Sequence, residues 1–255
     1  MSFTTFRTRM LAGAPLSGTF MKTPSHDVLE VLAMSGLDFV CLDAEHAAFD
    51  RSAMDACMAV ARALDFPTLV RVARGTPDAI LQALDMGAVG VVVPHVDSVE
   101  KAEAIAMSAR FGLGGRGYAG STRWAGYATR GMPDLLEKSR QETVVIAQIE
   151  EPAGVDAADA IAALDGIDGL FLGPADLSVA YGHQGQDNPD LMQAFKTCGA
   201  ATKAHGKAYV SWVGSVDQAK ERAAYGLNVF FIASEHAWML AGAKAAAKGI
   251  REMGD

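Results

Sequence analysis

The amino-acid sequence predicts a single-domain (β/α)8 barrel spanning all 255 residues. Three observations lead there. Eight short runs with strand character alternate with stretches of helical periodicity. Those runs are almost continuously apolar, as strands covered on both faces of a parallel sheet are. Eight such units in this length also match the usual size of the barrel, about 250 residues. An open doubly wound sheet fits less well, because no GxGxxG follows the first strand.

The strand candidates run in order along the chain. "LSGTFMK" (16–22) comes first, and the second closes "VLAMSGLDFVCLD" (31–43). "PTLVRV" (67–72) is third, and the fourth closes "ILQALDMGAVGVVVP" (80–94). "TVVIAQIE" (143–150) is fifth, and the sixth closes "AIAALDGIDGLFLGP" (160–174). "GKAYVSW" (206–212) is seventh, and the eighth closes "KERAAYGLNVFFIA" (220–233). In four of these units a helical pattern ends at Gly36, Gly87, Gly166 or Gly226, where a left-handed residue terminates a helix at least cost. Thr23 and Thr76, each followed by proline, read as N-caps, and Asp97 with Glu100 resembles a capping box. Asp50 reads as the cap of the helix after the second strand.

Between the fourth and fifth strands lies a long Gly-, Arg- and aromatic-rich excursion, residues 110–133. Its amides could cradle a phosphate, but it lacks GxxxxGK[ST]. The other reading is a flexible excursion used for packing or for an oligomer contact.

Composition narrows the partners. A net charge of −8 and the absence of any Lys/Arg run argue against nucleic acid or an anionic membrane. Cys41, Cys57 and Cys198 are odd in number and lack CxxC spacing, which favours a reducing compartment over a disulfide scaffold. The first twenty residues lack the apolar core of a signal peptide, and no apolar run is long enough to span a bilayer. A soluble cytoplasmic protein is expected.

Polar residues at strand ends are informative in a barrel, because functional groups gather there. Arg71 interrupts a buried strand, and a guanidinium is costly to bury without an anion. It serves either an internal ion pair or an oxyanion substrate. Gln148 and Glu150 share one face of the fifth strand, with Glu151 on the other. Gly173 and Pro174 force a sharp exit from the sixth strand, leaving Asp176 at the mouth as a helix cap or a ligand. The amides of Ala175 and Asp176 are available as donors. Glu150 and Asp176 end adjacent strands, so their carboxylates can converge on Mg²⁺ or Mn²⁺. Arg71, and His46 of "CLDAEHAAFD", look at the same space.

"LDAEHAAFD", "PTLVRV", "AQIEEPAGV" and "GLFLGPADLS" resemble signature segments of the HpcH/HpaI aldolase/citrate lyase family. Within it they are most similar to the class II pyruvate-dependent aldolases of the 4-hydroxy-2-oxoheptanedioate aldolase type. The resemblance implies a (β/α)8 barrel with a divalent cation (Mg²⁺, Mn²⁺ or Co²⁺) on Glu150 and Asp176. Gln148, Gly173 and the amides of Ala175 and Asp176 would bind substrate, Arg71 would stabilise an enolate oxygen, and His46 would transfer the proton. Asp43 would be a supporting acid beneath the metal. Asp85 matches an acid associated with the histidine. It ends the helix after the third strand, however, at the barrel's far end, so it could help His46 only across a subunit interface. A hexamer, a trimer of dimers, would allow that.

The implied reaction is reversible cleavage of a 4-hydroxy-2-oxo acid to pyruvate and an aldehyde, with hydroxypyruvate as an alternative nucleophile. The first strand reads "GTFMKTPS" where related members often carry tryptophan. Trp212, the "ASEHAWM" loop and residues 112–127 would line the aldehyde end. No lysine ends a strand in a position suited to a Schiff base, Lys22 being nearest. A CoA-ester lyase of the citryl- or malyl-CoA type and a non-catalytic metabolite-binding barrel are the rival readings. His26, His95, His183 and His205 read as capping or surface groups, with His236 undecided.

Overall fold

The computed structural model describes residues 2–253. A helix, α1 (Phe3–Leu11), precedes the first strand. Then β1 (Leu16–Met21) leads to α2 (His26–Met34), β2 (Phe39–Asp43) to α3 (Arg51–Ala63), and β3 (Thr68–Arg71) to α4 (Pro77–Met86). From β4 (Gly90–Val93) the chain passes through α5 (Val99–Ala109) and, after the excursion, α6 (Met132–Glu142). β5 (Val144–Ile149) is followed by α7 (Pro152–Asp156) and α8 (Ala158–Ala163), and β6 (Gly169–Leu172) by α9 (Pro174–Ala180) and α10 (Pro189–Ala204). β7 (Ala208–Val213) leads to α11 (Val216–Ala223), and β8 (Val229–Ser234) to α12 (Glu235–Arg251). Each strand pairs in parallel with its sequence neighbours, and β8 returns to β1, closing the barrel. The predicted architecture is the observed one.

Aromatic rings stopper the interior. Phe20 lies 4.6 Å from Phe231, and Phe231 lies 5.0 Å from both Phe39 and Phe171. Below them Phe6 of α1 packs on Phe39 at 5.4 Å, so the leading helix closes the barrel's N-terminal end. Gly18 makes the arrangement possible, because a Cβ there would sit 2.4 Å from the Phe39 ring. Each such phenylalanine, buried, stabilises the fold by roughly 1.5–3 kcal/mol. At the same end Asp168, buried at the start of β6, accepts from Arg7, Arg110 and the Val145 amide, tying α1, α5 and β5 together.

Gly36, Gly87, Gly166 and Gly226 all have positive φ, as expected of helix termini. Asp50 caps α3 through the Ala53 amide, and Thr76 is the N-cap residue of α4, though its hydroxyl makes no cap bond. Two predicted caps are displaced. Ser25, not Thr23, precedes α2, because the Thr23 amide and hydroxyl are both taken by Glu235. Ser98, not Asp97, caps α5, while Asp97 pairs with Lys101.

The excursion is a packed structure. Phe111, Trp124, Ala125 and Leu135 form a small second core, and Arg116 is buried with its guanidinium 4.7 Å from both the Phe111 and Trp124 rings. It lies at the barrel's N-terminal end, where α5 returns the chain, and the Trp124 amide donates to the Asp85 carbonyl there. Helix α12 does the opposite and leaves the barrel: Glu235 is its one buried residue among those described.

Candidate active site

Asp43 and Arg71 are register partners on β2 and β3. Both point into the mouth, and the guanidinium grips the carboxylate at two points, Nε to Oδ1 at 3.0 Å and Nη2 to Oδ2 at 2.7 Å. Burial works against the charge of Asp43, but the hydrogen bonds and charge of Arg71 outweigh it and hold the carboxyl below its ordinary value. Arg71 also stacks 4.1 Å above the centre of the Phe20 ring and lies 3.3 Å from Glu45. Lys22, at the end of β1, approaches the second Asp43 oxygen at 3.5 Å. Asp43 therefore underlies Arg71 and Lys22.

Glu150 follows β5 and is 2% exposed. Its two oxygens have separate donors: the Gln148 carboxamide at 2.5 Å to Oε1, and the His95 main-chain amide at 3.0 Å to Oε2. Burial, then the negative charges of Asp176 and Glu45, push its carboxyl up to about 7, with the His95 amide opposing. Gly173 leaves the carboxylate its room, since a Cβ there would meet Glu150 Cγ at 2.8 Å. Pro174 opens α9, whose first turn carries Asp176 and leaves the amides of Ala175 and Asp176 without intrahelical acceptors.

Arg71, Gln148, Gly173, Ala175, Asp176 and Trp212 border one cleft of about 530 Å³ at the C-terminal ends of the strands, together with Lys22, Phe20, Phe171 and Ser234. The Trp212 indole donates to the Ala233 carbonyl, which fixes the ring at the rim. Ala233 has a positive φ of 50°, and the β1–β8 register shifts beside it, turning the strand end toward the cleft. His46 stands outside this lining: its ring is 54% exposed, 3.5 Å from Glu45, and its amide donates to Asp43. Asp85 is not brought to the site within this chain. It ends α4 at the opposite face and pairs with buried Arg116. Nor does any residue of 112–127 border the cleft, against expectation.

Three residues that sequence reasoning passed over belong here. Glu45, nearly buried, bridges Arg71, His46 and His95, and burial raises its carboxyl. Lys22 borders the cleft. His95 is exposed, as expected, but its ring lies 2.7 Å from Glu151, 3.5 Å from Glu150 and 3.6 Å from Glu45. Burial would lower its pKa, but the hydrogen bond to Glu151 and the three negative charges raise it above the ordinary value. His236, by contrast, is spent on the Thr23 hydroxyl.

The donor set fits a hard divalent cation. Glu150 is buried beside other acids, and Gln148 Oε1 and Glu45 Oε2 have no hydrogen-bond partner. Among the described residues no group of three or more His, Cys, Asp or Glu is placed to hold a metal. Glu150 and Asp176 would thus form a two-carboxylate site that substrate oxygens and water complete.

Residues 16–239 match the model of the HpcH/HpaI aldolase/citrate lyase family. A 5-keto-4-deoxy-D-glucarate aldolase from Salmonella paratyphi A (strain ATCC 9150 / SARB42) is 35% identical over 204 residues, 79% of each chain. An HpcH/HpaI aldolase/citrate lyase family protein from Burkholderia cenocepacia J2315 superposes with a TM-score of 0.91 at 30% identity, covering 97% of this chain and 99% of that one. The citrate synthase SbnG superposes at 0.87 with 27% identity over 98% of both.

Proposed function

The chain belongs to the HpcH/HpaI aldolase/citrate lyase family, and on that premise we propose that it cleaves 4-hydroxy-2-oxo acids, reversibly, to pyruvate or a related 2-oxo acid and an aldehyde. The observation that carries this reading is that Arg71 and Asp176 border one cleft, with the buried Glu150 carboxylate behind its Gly173 wall and within reach of the Asp176 charge. The name of the Salmonella relative supports the substrate class. Numbered from its keto-acid end, 5-keto-4-deoxy-D-glucarate is a 4-hydroxy-2-oxo acid.

Glu150 and Asp176 would hold Mg²⁺, Mn²⁺ or Co²⁺, which supplies Lewis-acid polarisation of the 2-oxo group. The amides of Ala175 and Asp176 receive the substrate carboxylate at the start of α9. His46 takes the C4 hydroxyl proton through a water, as its place at the rim requires. The C3–C4 electron pair passes to the 2-oxo fragment as the aldehyde departs. Arg71, immobilised by Asp43, Glu45 and Phe20, faces the developing enolate charge without having to reorganise. A proton returned to C3 gives pyruvate.

The same reading includes a homo-oligomer, a trimer of dimers. Val31 and Met34 of α2 and Trp238, Met239 and Leu240 of α12 are exposed, and an apolar groove of about 290 Å³ separates the two helices. A second copy would cover them. In such an assembly the barrel bottom of one subunit would bring Asp85 and residues 112–127 to a neighbour's His46 and cleft. Three free buried cysteines suit a cytoplasmic protein, and no helix among the described residues is long and apolar enough to cross a membrane.

The decisive test is pyruvate release from a panel of 4-hydroxy-2-oxo acids, with EDTA or with added Mg²⁺, Mn²⁺ or Co²⁺. Metal-dependent release supports the reading. Equal turnover in EDTA would overturn it.

A further inference from the structure

We infer that His95 is a positioning residue for Glu150 and acts through its main-chain amide rather than its ring. This rests on the reading of Glu150 as a cation ligand. His95 follows β4 with φ +57°, a left-handed conformation that non-glycine residues seldom adopt. The surroundings hold it there. Val96 is bonded to the Gln148 carbonyl on β5, Lys101 donates to the His95 carbonyl at 3.2 Å, and the ring is drawn to Glu151 at 2.7 Å.

The left-handed turn aims the His95 N–H at Glu150 Oε2, 3.0 Å away, while Gln148 holds Oε1. Each carboxylate oxygen thus spends one lone pair on a fixed donor and keeps another for the cleft. With Gly173 against its Cγ, the carboxylate plane has one orientation. An extended residue at position 95 would turn the amide away and free Oε2. Outer groups that orient ligands in this way typically govern 10- to 100-fold in metal affinity.

The experiment is Mn²⁺ titration of the metal-free, full-length protein by calorimetry, with kcat/KM measured at limiting and at saturating Mn²⁺. His95→Val, whose β-branched side chain resists positive φ, should bind Mn²⁺ roughly 10- to 100-fold more weakly. Its kcat/KM should recover at saturating Mn²⁺, which a general loss of structure would not allow. His95→Gly, which keeps the turn and loses the ring, should bind nearly as the wild type does. Wild-type affinity in His95→Val would overturn the inference, as would an equal loss in His95→Gly, which would give the role to the ring. Should His95→Val fail to fold, Lys101→Met, which releases the His95 carbonyl, decides instead: weaker Mn²⁺ binding supports the inference and unchanged binding overturns it. Glu150→Gln is the control. Undiminished Mn²⁺ binding there would refute Glu150 as a ligand and remove the premise, an outcome distinct from failure of His95→Val alone.

Discussion

Asp43 and Arg71 face each other in register on adjacent strands, and the buried carboxylate holds the guanidinium at both Nε and Nη2. The pair resolves a choice between structural and functional arginine that the sequence leaves open. Arg71 meets the conditions for both: it is neutralised from below by Asp43 and borders the cleft, as the proposed role requires. Asp43→Asn should leave that charge without its partner. Breaking one side of a buried pair costs about 3–5 kcal/mol, so the melting temperature should fall. The kcat should fall more than the affinity for the 2-oxo acid, because the misdirected group acts on developing charge. Steady-state kinetics would check it, and an unchanged kcat would show that Arg71 needs no orienting.

Gly173→Ala adds one methyl group against Glu150 Cγ at 2.8 Å. The Glu150 carboxylate must swing away, and Mn²⁺ affinity should drop at least about tenfold. Circular dichroism should stay unchanged, since the clash is confined to the mouth.

The pH dependence of stability follows from Glu150 and His95. Both hold their protons more tightly in the folded state than in the unfolded chain. The stability contributed by Glu150 is complete below its ordinary 4.5 and is lost as pH rises through about 7. The metal-free protein should therefore lose melting temperature on these groups between about pH 5 and about pH 8. Mn²⁺ should raise it more at the upper end, where no proton competes. Differential scanning fluorimetry across that range tests both statements.

Lys22 ends β1 at the cleft, the one place where an imine could form with a bound 2-oxo acid. Its ammonium is engaged by Asp43, and the proposed chemistry does not use it as a nucleophile. Borohydride added with pyruvate should leave activity and mass unchanged, whereas a reduced adduct on Lys22 would place the enzyme in the other mechanistic class.

Asp85 lies at the far end of its own barrel. If a neighbour's His46 depends on it, the variants Asp85→Asn and His46→Asn, each impaired alone, should regain activity when mixed and allowed to exchange subunits. No recovery would confine Asp85 to its ion pair with Arg116.

Much of this was legible in the chain itself. The barrel follows from the eight apolar runs, and Arg71, Gln148 and Asp176 stand out as polar residues at strand ends that share one cleft, with Glu150 buried behind Gln148. What escaped has long-range or backbone causes. Thr23 looks like a cap until Glu235, 212 residues away, claims it. His95 reads as a surface residue, and its ring is one, but the left-handed φ beside the amide that meets Glu150 leaves no mark on composition. Residues 112–127, expected at the aldehyde end of the cleft, instead pack at the bottom of their own barrel, because a segment following a barrel helix emerges there.

The phenylalanines beneath the cleft carry a kinetic meaning. Phe20, Phe171, Phe231 and Phe39 stopper the barrel, so the cleft above them has no way through to the far end. In the proposed reaction the 2-oxo acid fragment lies inward, with its carboxylate on α9, and the aldehyde fragment outward. Under that proposal traffic would be ordered: the aldehyde would leave before pyruvate in cleavage, and in condensation it would enter productively only behind a 2-oxo acid already seated. Pyruvate, the last to leave, should then compete with the whole substrate for the empty chamber, and aldehyde should not, which product-inhibition kinetics would check.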